Sequence, residues 1–341
     1  MASFSQFGND LYTGARSVDF VGKRRIWFTI AILLMIAAIA VPFVRGGGNP
    51  ANGFNFGIEF RGGSQFQVAD IPGTQTSANL QTRATDAVNS IIPSATVFVS
   101  TLGNDAVRVQ TDQLSEGQST QVRGALAATF DVAQKNVSAS FIGATWGADI
   151  TGNALRGLGV FLLLSAVIMA LYFRTWKMSA AAMSALAHDL VITIGVYAAT
   201  GFEITPAAVI GFLTILGFSL YDTVVVFDKI RESTAEWGPG SLRTFGETVN
   251  LAVNQTLVRS INTGVVAALP VAAILFIGAF IFGADTLRDI SLALLVGTVI
   301  GTYSTPFVAA PLYAMFRRNE PEIVKADTRT LQVRAKSVAS A

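Results

Sequence analysis

Residues 26–44 read IWFTIAILLMIAAIAVPFV, a run without a charged side chain. An α-helix needs roughly 20 apolar residues to cross the ~30 Å hydrocarbon core of a membrane, so this run predicts a transmembrane helix. Five further runs have similar lengths: residues 157–173, 178–202, 204–221, 260–284 and 290–316. Only the run 178–202 is interrupted, by His188 and Asp189. The sequence therefore predicts six transmembrane helices.

A secretory signal peptide is the alternative for the first run, because Ala38 and Ala40 have the spacing of a cleavage site. The apolar part of a signal peptide spans only about 7–15 residues. Val41, Phe43 and Val44 continue the apolar run beyond that site. We therefore interpret the run as a retained helix.

The composition excludes several classes of protein. Charged residues make up 13% of the 341 residues, against about 25% in a soluble domain. The net charge of +2 and the scattered basic residues argue against a nucleic-acid partner. With no cysteine and one histidine, disulfides, thiolate sites and multi-histidine metal centres are excluded. The chain also has no nucleotide-binding loop and no nucleophile–histidine–acid set, so we expect no metal, no cofactor and no enzymatic activity.

Basic residues in short loops mark the cytoplasmic side of a membrane protein. They cluster before helix 1, between helices 2 and 3, between helices 4 and 5, and after helix 6: Lys23, Arg24, Arg25, Arg174, Lys177, Lys229, Arg231, Arg243, Arg317 and Arg318. The alternate short loops hold only Arg288. We therefore predict a multi-pass plasma-membrane protein with both termini in the cytoplasm. Helix 1 (26–44) and helices 2–6 (151–316) flank an outer segment, residues 45–150, and the cytoplasmic parts are residues 1–25, a connection at 228–256 and a mobile polar tail at 317–341.

Residues 45–150 carry the pattern of one folded domain outside the cytoplasm. Alternating polar and apolar residues predict strands at 64–68, around 97–99 and 107–109, which are joined through 103–105, and at 137–141. Apolar residues at helical spacing predict a helix from Thr76 that ends before Pro93. A second helix is predicted after a capping box at Ser115 and Gln118. The order β-α-β-β-α-β is that of a ferredoxin-like module. We expect an α+β interaction module rather than an enzyme.

Four ionisable residues lie inside the predicted spans: His188, Asp189, Asp222 and Arg259. Ionisable residues at membrane depth are costly and, by default, mark a functional site that faces the interior of the helix bundle. Asp222 and Arg259 lie at similar depths on consecutive helices, so they are expected to be able to face each other. All four residues are candidates for a proton pathway.

The sequence leaves two interpretations of Asp222 and Arg259 open. The two residues form either a fixed ion pair that stabilises the bundle or a site where Asp222 changes its protonation. A neighbouring arginine favours the charged carboxylate, whereas desolvation favours the neutral acid. Arg259 can also extend to the lipid headgroups as an anchor.

Polar neighbours extend this candidate site. Ser219 lies one helical turn before Asp222, and Gln255, Arg259 and Asn262 share one helix face, so Ser219, Gln255 and Asn262 are candidates for its polar lining. His188 and Asp189 are consecutive and diverge by about 100° on a helix. We therefore expect no simple pair between them and leave His188 as a packing residue or a proton carrier.

Glycines in the last predicted span indicate close packing. Gly297 and Gly301 have the spacing that lets membrane helices approach each other.

The sequence resembles a known protein family. Residues 56–63, FGIEFRGG, resemble the glycine-rich motif that follows helix 1 in the SecD/SecF family of protein-export membrane subunits. The residues that match this loop are Gly57, Glu59, Gly62 and Gly63, with Glu59 in place of the commoner aspartate and Arg61 in place of a commoner threonine. Residues 217–232, GFSLYDTVVVFDKIRE, and 254–263, NQTLVRSINT, closely resemble the helix 4 and helix 5 motifs of its SecF branch, and Ala187-His188-Asp189 also fits. The similarity extends over about residues 15–316.

The resemblance implies a fold, partners and an energy source. It implies half of a bundle of the resistance-nodulation-division (RND) type, with SecD as the other half. The pair would assist the SecYEG channel and act on exported unfolded polypeptides, with the proton gradient as energy source and membrane lipid around the spans. It also implies that Asp222 and Arg259 belong to the proton pathway, and that the glycine-rich loop is a structural junction.

Two other functions remain open from the sequence. One is half of an RND-type exporter of small molecules or lipids, although such exporters usually carry two six-helix halves in one chain. The other is a scaffold that stabilises the translocation channel without a motor role, with the buried charges purely structural.

Overall fold

The computed structural model describes residues 4–73, 76–102, 105–238, 240–279 and 285–339. Its α-helices are α1 (Phe4–Thr13), α2 (Arg24–Arg45), α3 (Ile58–Arg61), α4 (Ser77–Asn89), α5 (Glu116–Phe130), α6 (Ala144–Phe173), α7 (Trp176–Thr200), α8 (Pro206–Ala235), α9 (Phe245–Ala273), α10 (Asp285–Ser304), α11 (Ala310–Arg317) and α12 (Pro321–Ala339). Two π-helical segments, Ile274–Ala279 and Thr305–Ala309, extend α9 and join α10 to α11. The strands are β1 (Asn55–Phe56), β2 (Gly63–Val68), β3 (Val97–Leu102), β4 (Ala106–Thr111), β5 (Val137–Ile142) and β6 (Glu203–Ile204).

The prediction of six membrane helices is confirmed. Within the described residues, six helices have the length and apolar composition to cross a membrane: Arg24–Arg45, Thr145–Phe173, Trp176–Thr200, Pro206–Ala235, Phe245–Ile277 and Leu287–Arg317. In the three that contain α7, α8 and α10, 44–56% of the most apolar stretch is buried within the chain, whereas in those that contain α2, α6 and α9 only 11–17% of it is buried. The polar residues of the spans can therefore be enclosed between α7, α8 and α10.

Helices continue into most of the predicted cytoplasmic connection at 228–256. α8 runs to Ala235, and an ion pair between Lys229 and Glu232 one turn apart (3.0 Å) supports its last turns. α9 begins at Phe245 with a capping box between Thr244 and Glu247. Charged residues end the membrane-spanning part of a helix without ending the helix itself. For this reason α8 and α9 are longer than the predicted spans. The sequence Gly238-Pro239-Gly240 predicts a turn within this connection, and Pro239 lies outside the described residues.

The outer domain is built on a four-stranded antiparallel sheet. The strand order is β3-β4-β2-β5, and α4 and α5 connect β2 to β3 and β4 to β5. This order is compatible with the predicted ferredoxin-like arrangement. In the predicted turn at 103–105, Gly103 and Asn104 lie outside the described residues.

The core of the outer domain follows from the alternation of its strands. Phe66, Val107 and Val109 are fully buried on one sheet face, where they pack with Leu80 of α4 and Leu126 of α5. The predicted capping box at the start of α5 is present, because the Ser115 hydroxyl accepts from the Gln118 backbone and the Gln118 side chain accepts from the Ser115 backbone. The other sheet face is mostly polar, although it also carries Phe98.

The predicted cytoplasmic tail forms the helix α12, where the sequence predicted a mobile segment. In α12, Ile323, Ala326 and Thr330 are buried, and the Asp327 carboxylate accepts from the backbone N–H of Phe245 (2.7 Å). Arg334 forms an ion pair with Glu247 (2.7 Å). The inward stripe has only three residues, which is too weak a period to predict the helix.

Two glycines of α10 allow it to approach α8 closely, as the spacing of Gly297 and Gly301 predicted. A Cβ atom at residue 297 would lie 2.3 Å from Cγ1 of Ile215, and one at residue 301 would lie 3.1 Å from the Ser219 hydroxyl. Close approach of the two helices therefore depends on both glycines.

We expect Gly297→Val to destabilise the chain by about 1–3 kcal/mol, because the added side chain overpacks the contact with Ile215. The measurement is the thermal unfolding midpoint of the full chain in detergent. Gly217→Ala is the matched control, because a Cβ at residue 217 on α8 meets no atom within 4 Å. Equal midpoints for the two variants would contradict the packing role of Gly297.

Candidate functional site

Asp189 lies at the centre of a buried polar cluster between α7, α8 and α10. Its Oδ2 atom accepts hydrogen bonds from the hydroxyls of Ser219 on α8 (2.6 Å) and Ser304 at the end of α10 (2.9 Å). Asp189 is 3% exposed and Ser304 is fully buried. A buried carboxyl group needs such donors, because an unpaired one costs several kcal/mol.

His188 completes this cluster, which corrects the expectation that it does not pair with Asp189. Its Nδ1 atom lies 3.1 Å from Oδ1 of Asp189. The two side chains leave the helix in different directions, but both groups are short and near the backbone, so rotation about the side-chain bonds brings them together. His188 is 2% exposed, and its Nε2 atom has no hydrogen-bond partner among the described residues. The ring packs against Tyr303, with centroids 5.7 Å apart.

Asp222 forms a second buried site on α8. Its Oδ1 atom accepts from the Ser260 hydroxyl of α9 (3.0 Å), whereas Oδ2 has no hydrogen-bond partner within the described part of the chain. The residue is 5% exposed. Such a buried oxygen without a donor is a site for proton binding, because protonation removes the buried charge and converts the oxygen into an O–H hydrogen-bond donor.

A π-helical segment supplies hydroxyl groups that the sequence analysis missed. Thr305 begins this segment, and its hydroxyl lies 3.0 Å from that of Thr223 on α8. π-Helical turns inside α-helices are rare and occur often at functional sites. The signal available in the sequence was Ser304-Thr305-Pro306 within the last span, where hydroxyl residues precede a helix-distorting proline.

Arg259 lies on the outer surface of the bundle and does not pair with Asp222. Among the described residues, no acidic side chain forms an ion pair with it, and Arg259 is exposed. The neighbouring residue Ser260 faces Asp222, and consecutive helix positions point about 100° apart. The fixed ion pair considered from the sequence is therefore absent from this structure.

The predicted polar lining divides between different surroundings. Ser219 contacts Asp189 rather than Asp222. Gln255 donates to the backbone carbonyl of Tyr12 in α1 (3.2 Å), and Asn262 is exposed. Gln255, Arg259 and Asn262 share one helix face, as predicted, but that face points away from the buried aspartates.

The glycine-rich loop lies where the outer domain meets the membrane helices. The backbone N–H of Gly57 donates to the carbonyl of Ile204 (2.9 Å), and a Cβ at residue 57 would lie 2.3 Å from Oε2 of Glu59 and 3.0 Å from Oε1 of Glu203. Gly62 and Gly63 have φ angles of +75° and +146°, which side chains disfavour. Burial raises the pKa of the Glu59 carboxyl above its ordinary range, and the nearby Glu203 adds to this.

Comparison with known proteins places this architecture in a class of protein-export membrane proteins. Residues 121–319 match the family described as protein export membrane protein SecD/SecF, C-terminal, and residues 50–69 match the SecD/SecF GG motif. The chain belongs to the SecD/SecF family.

Two relatives within this family are SecF subunits. The protein translocase subunit SecF of Streptomyces coelicolor is 41% identical, over 99% of this chain and 87% of the relative. The same subunit of Mycobacterium tuberculosis is 38% identical, over 97% of this chain and 74% of the relative.

A solved structure supports the fold. The crystal structure of SecDF from Thermus thermophilus, described as a translocon-associated membrane protein, superposes with a TM-score of 0.73 and 27% identity. The match covers 89% of this chain but only 39% of that longer chain. The family and the six helices together make this chain a multi-pass plasma-membrane protein.

We expect Ser304→Ala to lower the free energy of unfolding by about 1–3 kcal/mol, because it removes a donor from the buried Asp189 carboxyl. The measurement is thermal or denaturant unfolding of the full chain in detergent. Ser184→Ala on α7 is the control, because Ser184 is exposed and its hydroxyl contacts only its own helix. If the two variants lose the same stability, Ser304 does not support Asp189.

Glu59 predicts a pH dependence of stability. Its pKa is raised by burial, so the folded chain binds this proton more tightly than the unfolded chain, where the pKa is about 4.3. Stability from this group is complete below the unfolded pKa and is lost as the pH rises through the folded pKa. We expect Glu59→Gln to reduce that loss in unfolding midpoints measured across the acidic range, while the exposed Glu116→Gln leaves it unchanged. An unaltered pH profile in Glu59→Gln would contradict the prediction.

Proposed function

We propose that this chain is the SecF half of a proton-driven protein-export motor. The observation that carries the proposal is Asp222, a buried carboxyl group in a membrane helix with one donor on Oδ1 and, among the described residues, none on Oδ2. It lies within the part of the chain that matches the SecD/SecF family, and relatives over nearly the whole chain bear the name protein translocase subunit.

The proposed partner is a SecD-like half. The Thermus relative carries both names in one chain, SecDF, and this chain covers 40% of it. Arg259 and Asn262 are exposed at membrane depth, and a charge facing lipid there is expensive. A second helix bundle packed on this face of α9 would cover both residues and could bring its own acidic group to Arg259.

In this proposal, Asp222 takes up and releases the transported proton. Protonation of Oδ2 removes the charge and creates a donor, while Ser260 continues to donate to Oδ1. Asp189 and His188 form the second candidate position, reached through Ser219 on the same helix as Asp222. The proton gradient supplies the energy, and no cofactor and no covalent chemistry on the substrate take part.

The outer domain would face the exported chain. With both termini in the cytoplasm, residues 45–150 lie on the far side of the membrane, where an unfolded polypeptide leaves the SecYEG channel. The concentration of basic residues in the opposite set of loops supports this orientation.

The test is Asp222→Asn, which keeps the shape of the side chain and removes its titration. We expect export driven by an imposed proton gradient, and proton flux through the assembled SecD–SecF pair, to fall at least tenfold in membrane vesicles. The pair must assemble normally, which co-purification checks.

The control is Asp228→Asn on the same helix, six residues away, where the side chain is half exposed. We expect it to export as the wild type does. If Asp222→Asn assembles and exports with the proton dependence of the wild type, the motor proposal fails and a scaffold without proton coupling is the better function. Export of a small solute by this chain without a SecD-like partner would instead favour the exporter function.

A further inference from the structure

One buried polar contact joins the outer domain to the membrane helices. Nη1 of Arg108 lies 3.2 Å from Oε2 of Glu203, and both side chains are 11% exposed. Nε2 of Gln110 donates to the other carboxylate oxygen of Glu203 at 2.6 Å. Both oxygens of Glu203 are therefore held by the outer domain.

On the side of the outer domain, the contact is made by a strand in the middle of the sheet. Arg108 and Gln110 lie on β4, between β3 and β2, and alternate with the core residues Val107 and Val109. Because successive side chains of a strand point to opposite faces, both polar residues project from the open face. Gln110 also donates to Gln65 of β2 (3.1 Å), which fixes its orientation.

The membrane side of the contact is the turn between α7 and α8. Glu203 follows the end of α7 at Thr200 and precedes the start of α8 at Pro206. α7 carries Asp189, and α8 carries Asp222. Glu203 is thus attached to the outer ends of both helices that hold the buried carboxyl groups.

Backbone contacts hold the same turn in register. β1 pairs with β6 in parallel, with Asn55 opposite Glu203, and the Asn55 side chain donates to the carbonyl of Gly201 (2.6 Å). Gly57 leaves room for the Glu203 carboxylate. The glycine-rich loop therefore shapes the surface on which this contact forms.

We infer that the Arg108–Glu203–Gln110 contact is the joint that couples α7 and α8 to the outer domain, with Glu203 as a positioning residue for export. A shift of either helix that accompanies proton binding moves Glu203 and, through it, the central strand β4. The link to proton binding rests on the proposed function, whereas the mechanical attachment does not.

The first measurement tests the attachment. The chain has no cysteine, so spin labels can be placed at two exposed positions, Gln121→Cys on α5 and Thr200→Cys at the end of α7. In the full chain with its SecD-like partner, we expect a narrow distance distribution that broadens in Glu203→Gln. The charge swap Arg108→Glu with Glu203→Arg should narrow it again, and Glu116→Gln should leave it unchanged.

The second measurement separates coupling from stability. We expect Glu203→Gln to keep proton flux within twofold of the wild type, because the buried carboxyl groups are intact, while export falls at least fivefold. A merely structural role would lower both together. The charge swap should recover most of the export.

The outcomes distinguish the two proposals. The joint is overturned if Glu203→Gln leaves the label distances or export unchanged, if flux and export fall in the same proportion, or if the charge swap restores neither. If Asp222→Asn leaves flux and export intact, the motor proposal fails, and the label distances alone still decide whether Glu203 attaches the outer domain.

Discussion

A carboxyl group at membrane depth is costly unless hydrogen-bond donors reach it, and this constraint organises the membrane part of the chain. Asp189 and Asp222 lie on neighbouring helices, and both reach serine hydroxyls on other helices. The helices can supply those donors only when they are close, and Gly301 permits this, because a Cβ at residue 301 would lie only 3.1 Å from the Ser219 hydroxyl. The apolar spans provide the length to cross a membrane, but the two aspartates determine which helix faces turn inward.

The charges of this chain are distributed unevenly between the inside and the outside of the bundle. The two aspartates are buried, whereas Arg259, from the same family motifs, is exposed. An isolated bundle would gain nothing from an arginine on its lipid-facing side. In the proposed motor, a second bundle would complete the charged site around Arg259, whereas within this chain Ser260, not Arg259, donates to Asp222.

The sequence was a good guide wherever a feature depends on local patterns. Alternating valines placed β3 and β4, a capping box placed the start of α5, and uncharged runs placed the six membrane helices. Features that depend on contacts between distant residues were not predictable in the same way. The direction of Arg259 depends on which face of α9 packs on α8, and the pairing of His188 with Asp189 depends on side-chain rotation. The helix α12 has too few apolar residues to show a period, and its order comes from contacts with the start of α9.

Glu203 illustrates the limit of sequence reasoning most clearly, and it also relates the two halves of the molecule. As a single acidic residue in a short outer loop, it reads as an ordinary surface charge. Only the fold places it under Arg108 and Gln110, about 95 residues earlier in the chain. A buried ion pair is a weak source of stability, because desolvation offsets much of its attraction, but loss of one partner leaves a buried charge unpaired. Such a contact tolerates little change in geometry. The pair therefore makes the position of the outer domain sensitive to shifts of the helices that carry Asp189 and Asp222. A larger apolar interface would be less sensitive to such shifts.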